Sequence, residues 1–354
     1  MLEAQETRRL SRRSFMGHAA AAAVATSGAG VLLSACGDDE AAGGSSGDTE
    51  DVVFLNIVPI NSSFVAELLA DQNGYFKEQG LNVKMQATRG SAPAIQSVLA
   101  GSALITRAGA IETVSAASTQ GAPLMNVAMI EHKSPLWFVS TKENPLKEPQ
   151  DWEGTTMGLP SKGGTSEQTL DVMLKSEGVD ADSVERQVVG LSPGTFELVK
   201  QGRIDGYTVG SVDGVIFKQQ IPEANLLDPS QYVTEGQVYL VSERTLAEKE
   251  DQVVAYLTAI RRAVDEVLDD APAFDKTIRA LRKTQDLPEL ETDRLAKATL
   301  KVHTDSWLLE GQENLLRTVP ETWQKVYDQL LEIDVAESGQ DPSAWFTNDL
   351  IEKT

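Results

Sequence analysis

Between Val52 and Ser242 short apolar runs alternate with amphipathic stretches of helical period, a pattern generated by parallel strands joined by helices. Strands are predicted at Val52–Val58, Leu81–Ala87, Ala103–Thr106, Leu124–Ile130, Leu136–Ser140, Thr155–Leu159, Arg186–Val189, Ile204–Val209 and Gln237–Ser242. Ser62–Gln72 predicts a helix, because Phe64, Val65, Leu68 and Leu69 share a face and Gly74 stands just past its end. After Ser242 the strands stop. Residues 243–335 carry helical spacing only, as in Val253, Val254, Leu257, Ile260, Val264 and Val267.

The alternating region contains a weak internal repeat. Laying Gly101 on Gly202 brings Ser91 onto Ser192, Ile95 onto Phe196, Val98 onto Val199 and Gly109 onto Gly210, and a nearby offset lays Gly74 on Gly178. Two equivalent α/β lobes follow, with the chain crossing near Glu131–Ser134 and returning near Thr234–Gln237. The expected division is residues 52–131 plus 237–354 for lobe one, closed by Gln237–Ser242 and wrapped by the helical C-terminal third, and 132–236 for lobe two. Paired crossovers make a hinge.

The first 51 residues do not belong to that fold. Arg8, Arg9, Arg12 and Arg13 precede an Ala-rich, mildly apolar run from Ala19 to Ala35, too short and weak to span a bilayer stably and typical of a signal peptide over 1–35. Ser11-Arg12-Arg13-Ser14-Phe15-Met16 matches the twin-arginine export pattern, with ordinary Sec export as the alternative. Leu33-Ser34-Ala35-Cys36 resembles a lipobox, and Cys36 is the sole cysteine. Lipidation there tethers the protein to a membrane without spanning it. Residues 36–51, rich in Gly, Ser and acid, read as a flexible tether.

Composition narrows the chemistry. One cysteine at the lipobox permits no disulfide, and the histidines, His18, His132 and His303, are too few and too scattered for a Cys/His zinc site. Neither His132 nor His303 sits in a nucleophile-elbow pattern, and no cofactor is expected. The formal charge is −22, and removing four arginines and two acids with residues 1–35 takes it to −24, so nucleic acid is not an expected partner.

Several segments resemble a family. Asn73-Gly74-Tyr75-Phe76-Lys77-Glu78-Gln79-Gly80-Leu81-Asn82-Val83 is similar to the GYF-x-x-x-GL-x-V segment of the nitrate, sulfonate, taurine and thiamine-pyrimidine binding proteins of ABC importers. Trp152-Glu153-Gly154-Thr155-Thr156-Met157-Gly158 resembles their DL-x-GK-x-V-G segment, Gly202-Arg203-Ile204-Asp205 their G-x-V-D segment, and Trp345-Phe346-Thr347-Asn348 their FTN tail. Leu104 departs from the aspartate expected as the lobe-one counterpart of Asp205. The resemblance implies a two-lobed periplasmic-binding-protein type II fold, extracytoplasmic and monomeric, that traps a small anionic or heteroaromatic nutrient and delivers it to ABC permease subunits. An enzyme of the thiamine-pyrimidine synthase type and a ligand-sensing lipoprotein are the alternatives.

Ligands of open α/β sheets bind outside the carboxyl ends of the strands. The loops expected there carry Pro59, Asn61, Ser62 and Ser63; Arg89, Gly90 and Ser91; and Thr106, Arg107 and Gly109 in lobe one. Lobe two supplies Ser161, Gly163, Gly164, Thr165 and Ser166, then Ser192, then Thr208, Gly210 and Asp213. Gly, Ser and Thr at helix starts expose N–H and hydroxyl donors to an oxyanion, and Arg89 and Arg107 offer planar guanidinium grips. Thr165 and Gln168 have capping-box spacing. Asp213 and Glu131 are the alternative acceptors, for a cationic or amino group. Tyr75, Trp137, Trp152 and Tyr207 are read as core aromatics before stacking platforms.

Overall fold

The computed structural model describes residues 49–160, 162–190 and 193–354, so the twin-arginine segment, Cys36, Ser161 and Ser192 lie outside the described residues. Lobe one opens with β1 (Glu50–Asn56), α1 (Val65–Gln72), α2 (Tyr75–Glu78), β2 (Leu81–Ala87), α3 (Ser91–Leu99), β3 (Ile105–Gly109), α4 (Ala110–Gln120) and β4 (Leu124–Glu131). Lobe two comprises β5 (Leu136–Thr141), β6 (Thr156–Leu159), α5 (Thr165–Ser176), β7 (Glu185–Val188), α6 (Phe196–Lys200), β8 (Gly206–Gly210), α7 (Ser211–Gln220) and β9 (Ala224–Leu227). The chain then returns as β10 (Gln237–Ser242), followed by α8 (Glu243–Asp269), α9 (Asp275–Thr284), α10 (Asp293–Trp307) and α11 (Pro320–Glu332).

Strand order is β2-β1-β3-β10-β4 in one sheet and β7-β6-β8-β5-β9 in the other. In each, three parallel strands are followed by an antiparallel one, β10 or β5, which pairs on both sides. The two sheets are therefore topologically equivalent, with β3–α4 matching β8–α7, as the repeat of Gly109 and Gly210 requires. Strand β9 was not expected: Ala224-Asn225-Leu226-Leu227 is too short and mixed to stand out as a strand, and it pairs at the edge of its sheet against β5.

The motif residues turn out to be structural. Phe76 stacks on Tyr256 of α8, which stacks in turn on Phe54, at centroid separations of 5.0 and 5.8 Å. Asn73 and Tyr75 both donate to Glu266 of α8, at 2.8 and 2.6 Å. The GYF segment thus fastens the helical C-terminal third to lobe one. In the tail, Phe346 bridges to Asn126 of β4, and Asn348 exchanges two hydrogen bonds with the Thr318 backbone, covering an otherwise open sheet edge. Asp205 accepts the Thr156 N–H through its carboxylate and donates its own N–H to Thr156. Leu104 keeps only the backbone half of that arrangement, Leu104 N to Val53 O, and buries its side chain.

The crossovers, residues 132–135 and 228–236, lie side by side. A Cβ on Gly236 would stand 2.0 Å from the Glu131 carbonyl oxygen and 2.5 Å from Met129 Cε. The C-terminal helices brace this junction. Ser306 Oγ of α10 accepts from His132 N and Lys133 N, while Gln329 of α11 accepts from Thr234 N and donates to Tyr232 O. One apolar cluster joins Ala110, Ile111 and Val114 of α4 to Leu170 and Met173 of α5 and to Trp323, Val326 and Leu330 of α11. Gly236→Ala is expected to lower stability by about 1–3 kcal/mol, the usual cost of overpacking, as a reduced denaturant midpoint at unchanged m.

Candidate functional site

The loops nominated from sequence split into those that meet and those that do not. Thr165, at the first turn of α5, donates its hydroxyl across the lobes to Glu112 of α4 at 2.9 Å, and Gln168 Nε2 donates to Ser115 Oγ of α4 at 3.2 Å. The expected capping box is therefore not formed. The cap residue is Gly164, one position earlier than the box requires, which leaves both side chains free to bridge to lobe one. A Cβ on Gly109 would stand 2.9 Å from Thr165 Oγ1, so only glycine permits this approach. Ser91, at the start of α3, also bonds to Glu112. Gly90, Ser91, Gly109, Gly164 and Thr165 are thus gathered where the lobes touch. Gly163 donates to Glu167 of its own helix.

The hinge supplies the residue that sequence reasoning overlooked. Glu235 lies in the second crossover and is buried, and its Oε1 accepts from Ala110 N and Gly236 N at 2.8 Å each. Its Oε2 accepts from Ile111 N at 3.3 Å. The N-terminus of α4, the lobe-one helix end beside Gly109, is in this way filled by the protein's own carboxyl group. Burial pushes the Glu235 carboxyl up to about 8, against the lowering pull of those three N–H groups. Burial likewise raises Glu112, against its bonds from Thr165 and Ser91.

A second pair of acidic residues lies where α7 packs against α10. Asp213 occupies the first turn of α7, which packs against α10, and Glu289 sits in the turn Pro288–Leu290 just before α10. Burial, then the Glu289 charge, push Asp213 up to about 6. Glu289 Oε1 accepts from Ser62 N at 2.7 Å, across 227 residues of sequence. Asn61 caps the turn Ser62–Phe64 by accepting from Ser63 N, and Pro59 is exposed. Ser211 N donates to Pro135 O, holding Gly210 and the start of α7 against the first crossover.

Several nominated residues serve the scaffold. Arg107 is fully buried: Nη2 lies 2.7 Å from Glu131 Oε1, Nη1 lies 3.6 Å from Glu67 and 2.6 Å from Ser63 O, and the guanidinium covers Phe64. Glu131 also accepts from His303 Nδ1 at 2.9 Å, and Tyr239 donates to Glu67 at 2.8 Å. Burial alone would raise Glu131, but His303 and Arg107 outweigh it and hold its carboxyl low. Arg107 and Glu131 are therefore partners in the lobe-one interior, with the two terminal nitrogens of Arg107 engaged and its buried Nε left without a hydrogen-bond partner. Arg89 is exposed at its loop tip. Thr106 donates to Leu55 O within its sheet, Ser166 is buried on α5, and Thr208 is buried in β8. Trp152 and Tyr207 are core residues, Tyr75 is fixed to α8, and Trp137 packs over Gly214.

With this geometry, the chain resembles known proteins along most of its length. A family model described as NMT1/THI5 like matches residues 61–272. The chain belongs to the NMT1/THI5-like family. Within the curated proteins it is 23% identical over 301 residues to the riboflavin-binding protein RibY of Chloroflexus aurantiacus, covering 82% of this chain and 83% of that one. It is 25% identical over 274 residues to a formylaminopyrimidine-binding protein of Halalkalibacterium halodurans, covering 74% and 79%. Its fold is that of the alkanesulfonate-binding protein SsuA of Xanthomonas axonopodis pv. citri, solved bound to MOPS, with TM-score 0.65, 15% identity and coverage of 84% and 98%. The periplasmic nitrate-binding protein NrtA of Synechocystis PCC 6803 gives TM-score 0.63, 13% identity and coverage of 86% and 88%. This NMT1/THI5-like chain therefore has the two-lobed α/β fold of periplasmic binding proteins of type II, and its named relatives are binding proteins.

The three raised carboxyls, Glu112, Asp213 and Glu235, make folding proton-dependent in one direction. A folded pKa above the unfolded value gives stability that is full below the unfolded pKa, about 4.3 for Glu, and is lost as pH rises through the folded value. For Glu235 that window runs up to about pH 8. The melting temperature is expected to fall across pH 5–8 less steeply in Glu235→Gln than in the parent. In contrast, Arg107→Met strands two buried carboxylates and is expected to cost about 3–5 kcal/mol, read by urea unfolding.

Proposed function

We propose that this chain is the extracytoplasmic solute-binding lipoprotein of an ABC importer. It captures a small nutrient between residues 52–131 plus 237–354 and residues 132–236, and delivers it to permease subunits. The observation that carries this reading is the convergence of helix-start loops from two topologically matched sheets, joined by Thr165 to Glu112 and hinged at paired crossovers. In a hinged pair of lobes, ligand stabilises the form in which both lobes touch it, which converts binding into a shape that a permease can read. The RibY, formylaminopyrimidine, SsuA and NrtA relatives support the same role, and they bracket the nutrient as heteroaromatic or anionic. The names of the two curated relatives, both binding proteins, support a binder over an enzyme.

Export by the twin-arginine route and acylation of Cys36 complete the proposal, supported by the sequence of the first 36 residues. Among the described residues no helix is long and apolar enough to cross a membrane, and an acyl anchor at Cys36 would hold the chain at one without spanning it. A thermal-shift screen of the purified chain against riboflavin, formylaminopyrimidine, alkanesulfonates and nitrate is expected to give one hit. At a ligand concentration of 100 times Kd, the stabilisation is about 2.7 kcal/mol. Silence across the panel counts against solute capture. Cys36→Ala is expected to move the protein from the membrane fraction to the soluble fraction, and retention on the membrane contradicts the anchor.

A further inference from the structure

A cavity of about 570 Å³ opens where the two crossovers meet the C-terminal helices. The crossovers contribute His132, Lys133 and Asp228 to its lining, and the turn after α10 together with α11 contributes Glu310, Thr322 and Lys325. Its size falls within the range of small-molecule sites, roughly 300–1,000 Å³. None of Ser62, Glu112, Thr165, Asp213 and Glu289 borders it, so it is separate from the loops gathered at the lobe contact.

The chain as a whole carries 53 acidic residues against 31 Lys and Arg, yet the charges around this cavity balance. Lys133 pairs with Asp228 at 2.6 Å, and Asp228 Oδ1 also accepts from Ser230 N and Oγ. Glu235 borders the same space, but its carboxyl is engaged by α4 and raised to about 8 by burial, so it is largely protonated at neutral pH. That leaves Lys325 and Glu310. Among the described residues Lys325 makes no ion pair or hydrogen bond through its side chain, and the Glu310 carboxylate accepts only the Thr322 hydroxyl, at 3.0 Å. His132 adds a third unsatisfied group: it is 4% exposed, and neither ring nitrogen completes a hydrogen bond. Burial lowers its pKa against the pull of Glu310, Glu131 and the Asn314 carbonyl, so the ring is neutral near pH 7, with one N–H to give and one lone pair to fill. Leaving such groups unmatched costs free energy that a polar ligand recovers. Val233, buried, and Leu309, 58% exposed, bring apolar surface to the same cavity.

We infer that the cavity at the crossovers is a ligand site in its own right, for a free α-amino acid with an apolar side chain. Its carboxylate goes to Lys325 and its ammonium to Glu310, the His132 ring bonds to the polar end, and the side chain rests on Val233 and Leu309. A simple anion meets Glu310 and Asp228 there, and a simple cation meets Lys325 and Lys133. A zwitterion satisfies both signs at once. Because the walls come from both crossovers and from the C-terminal helices, occupancy ties the hinge to the C-terminal third.

Isothermal titration calorimetry of the full chain at pH 7.5 with L-leucine tests this, beside isocaproate, which lacks the ammonium, and isoamylamine, which lacks the carboxylate. Leucine is expected to bind at one site per chain, more tightly than either analogue. Lys325→Gln and Glu310→Gln are each expected to weaken it at least about tenfold, through loss of one charged hydrogen bond. Histidine-ring NMR locates the ligand: leucine is expected to shift the His132 signals and to leave those of His303, buried in lobe one, in place. Absence of leucine binding, equal binding of either analogue, a substitution without effect, or unshifted His132 signals overturns the inference. The NMR arm uses the wild-type chain, so it decides even if a variant fails to fold. Each of these failures leaves the reading of solute capture between the lobes standing.

Discussion

The junction at Gly109 is the constraint on which the rest depends. Lobe two reaches lobe one there because no side chain stands in the way, and Thr165 bonds to Glu112 across the gap. Directly behind it, Glu235 feeds a carboxyl from the hinge into the first turn of α4. Hinge, lobe contact and helix N-terminus therefore share one small volume, so a change in any one is felt by the other two. Beneath lies the Glu67–Arg107–Glu131–His303 chain of buried charge, which ties α1, β3, β4 and α10 together. Removal of one member leaves buried charge on the others unpaired.

The C-terminal third has a mechanical role. Helix α8 is stacked on lobe one through Phe54, Phe76 and Tyr256, whereas α10 and α11 grip the two crossovers through Ser306 and Gln329. Helix α11 also shares an apolar cluster with α4 and α5, one helix from each lobe. The lobes are consequently supported on the side of the hinge and joined by few polar contacts at the cleft. Such a distribution localises movement in the crossovers, where small backbone rotations open or close the loops around a solute.

Much of the fold was legible because it is written in local periodicity. Strands such as Leu81–Ala87 and Gln237–Ser242 coincide with their apolar runs, and the matched glycines Gly109 and Gly210 mark equivalent strand-to-helix turns in the two lobes. The surroundings of the candidate residues were less legible. Loop positions such as Ser91 and Thr165 followed from strand ends, but nothing local to Arg107 announces Glu67 and Glu131, both distant in sequence, which stand beside it in the interior. Glu235 and Glu289 act through contacts 125 and 227 residues long, which no periodicity records. The local hint that existed was the position of Glu235 within the expected second crossover.

Capture between lobes that move about the crossovers is the central claim, and an interlobe distance tests it most directly. With Cys36 replaced by serine, spin labels at Gln86→Cys, exposed on β2 of lobe one, and Val188→Cys, 57% exposed on β7 of lobe two, report that distance by pulsed electron resonance. A single narrow distribution with bound solute, collapsing from a broader and displaced one without it, is the predicted result. Saturating solute that leaves the distribution unchanged would contradict capture by lobe closure.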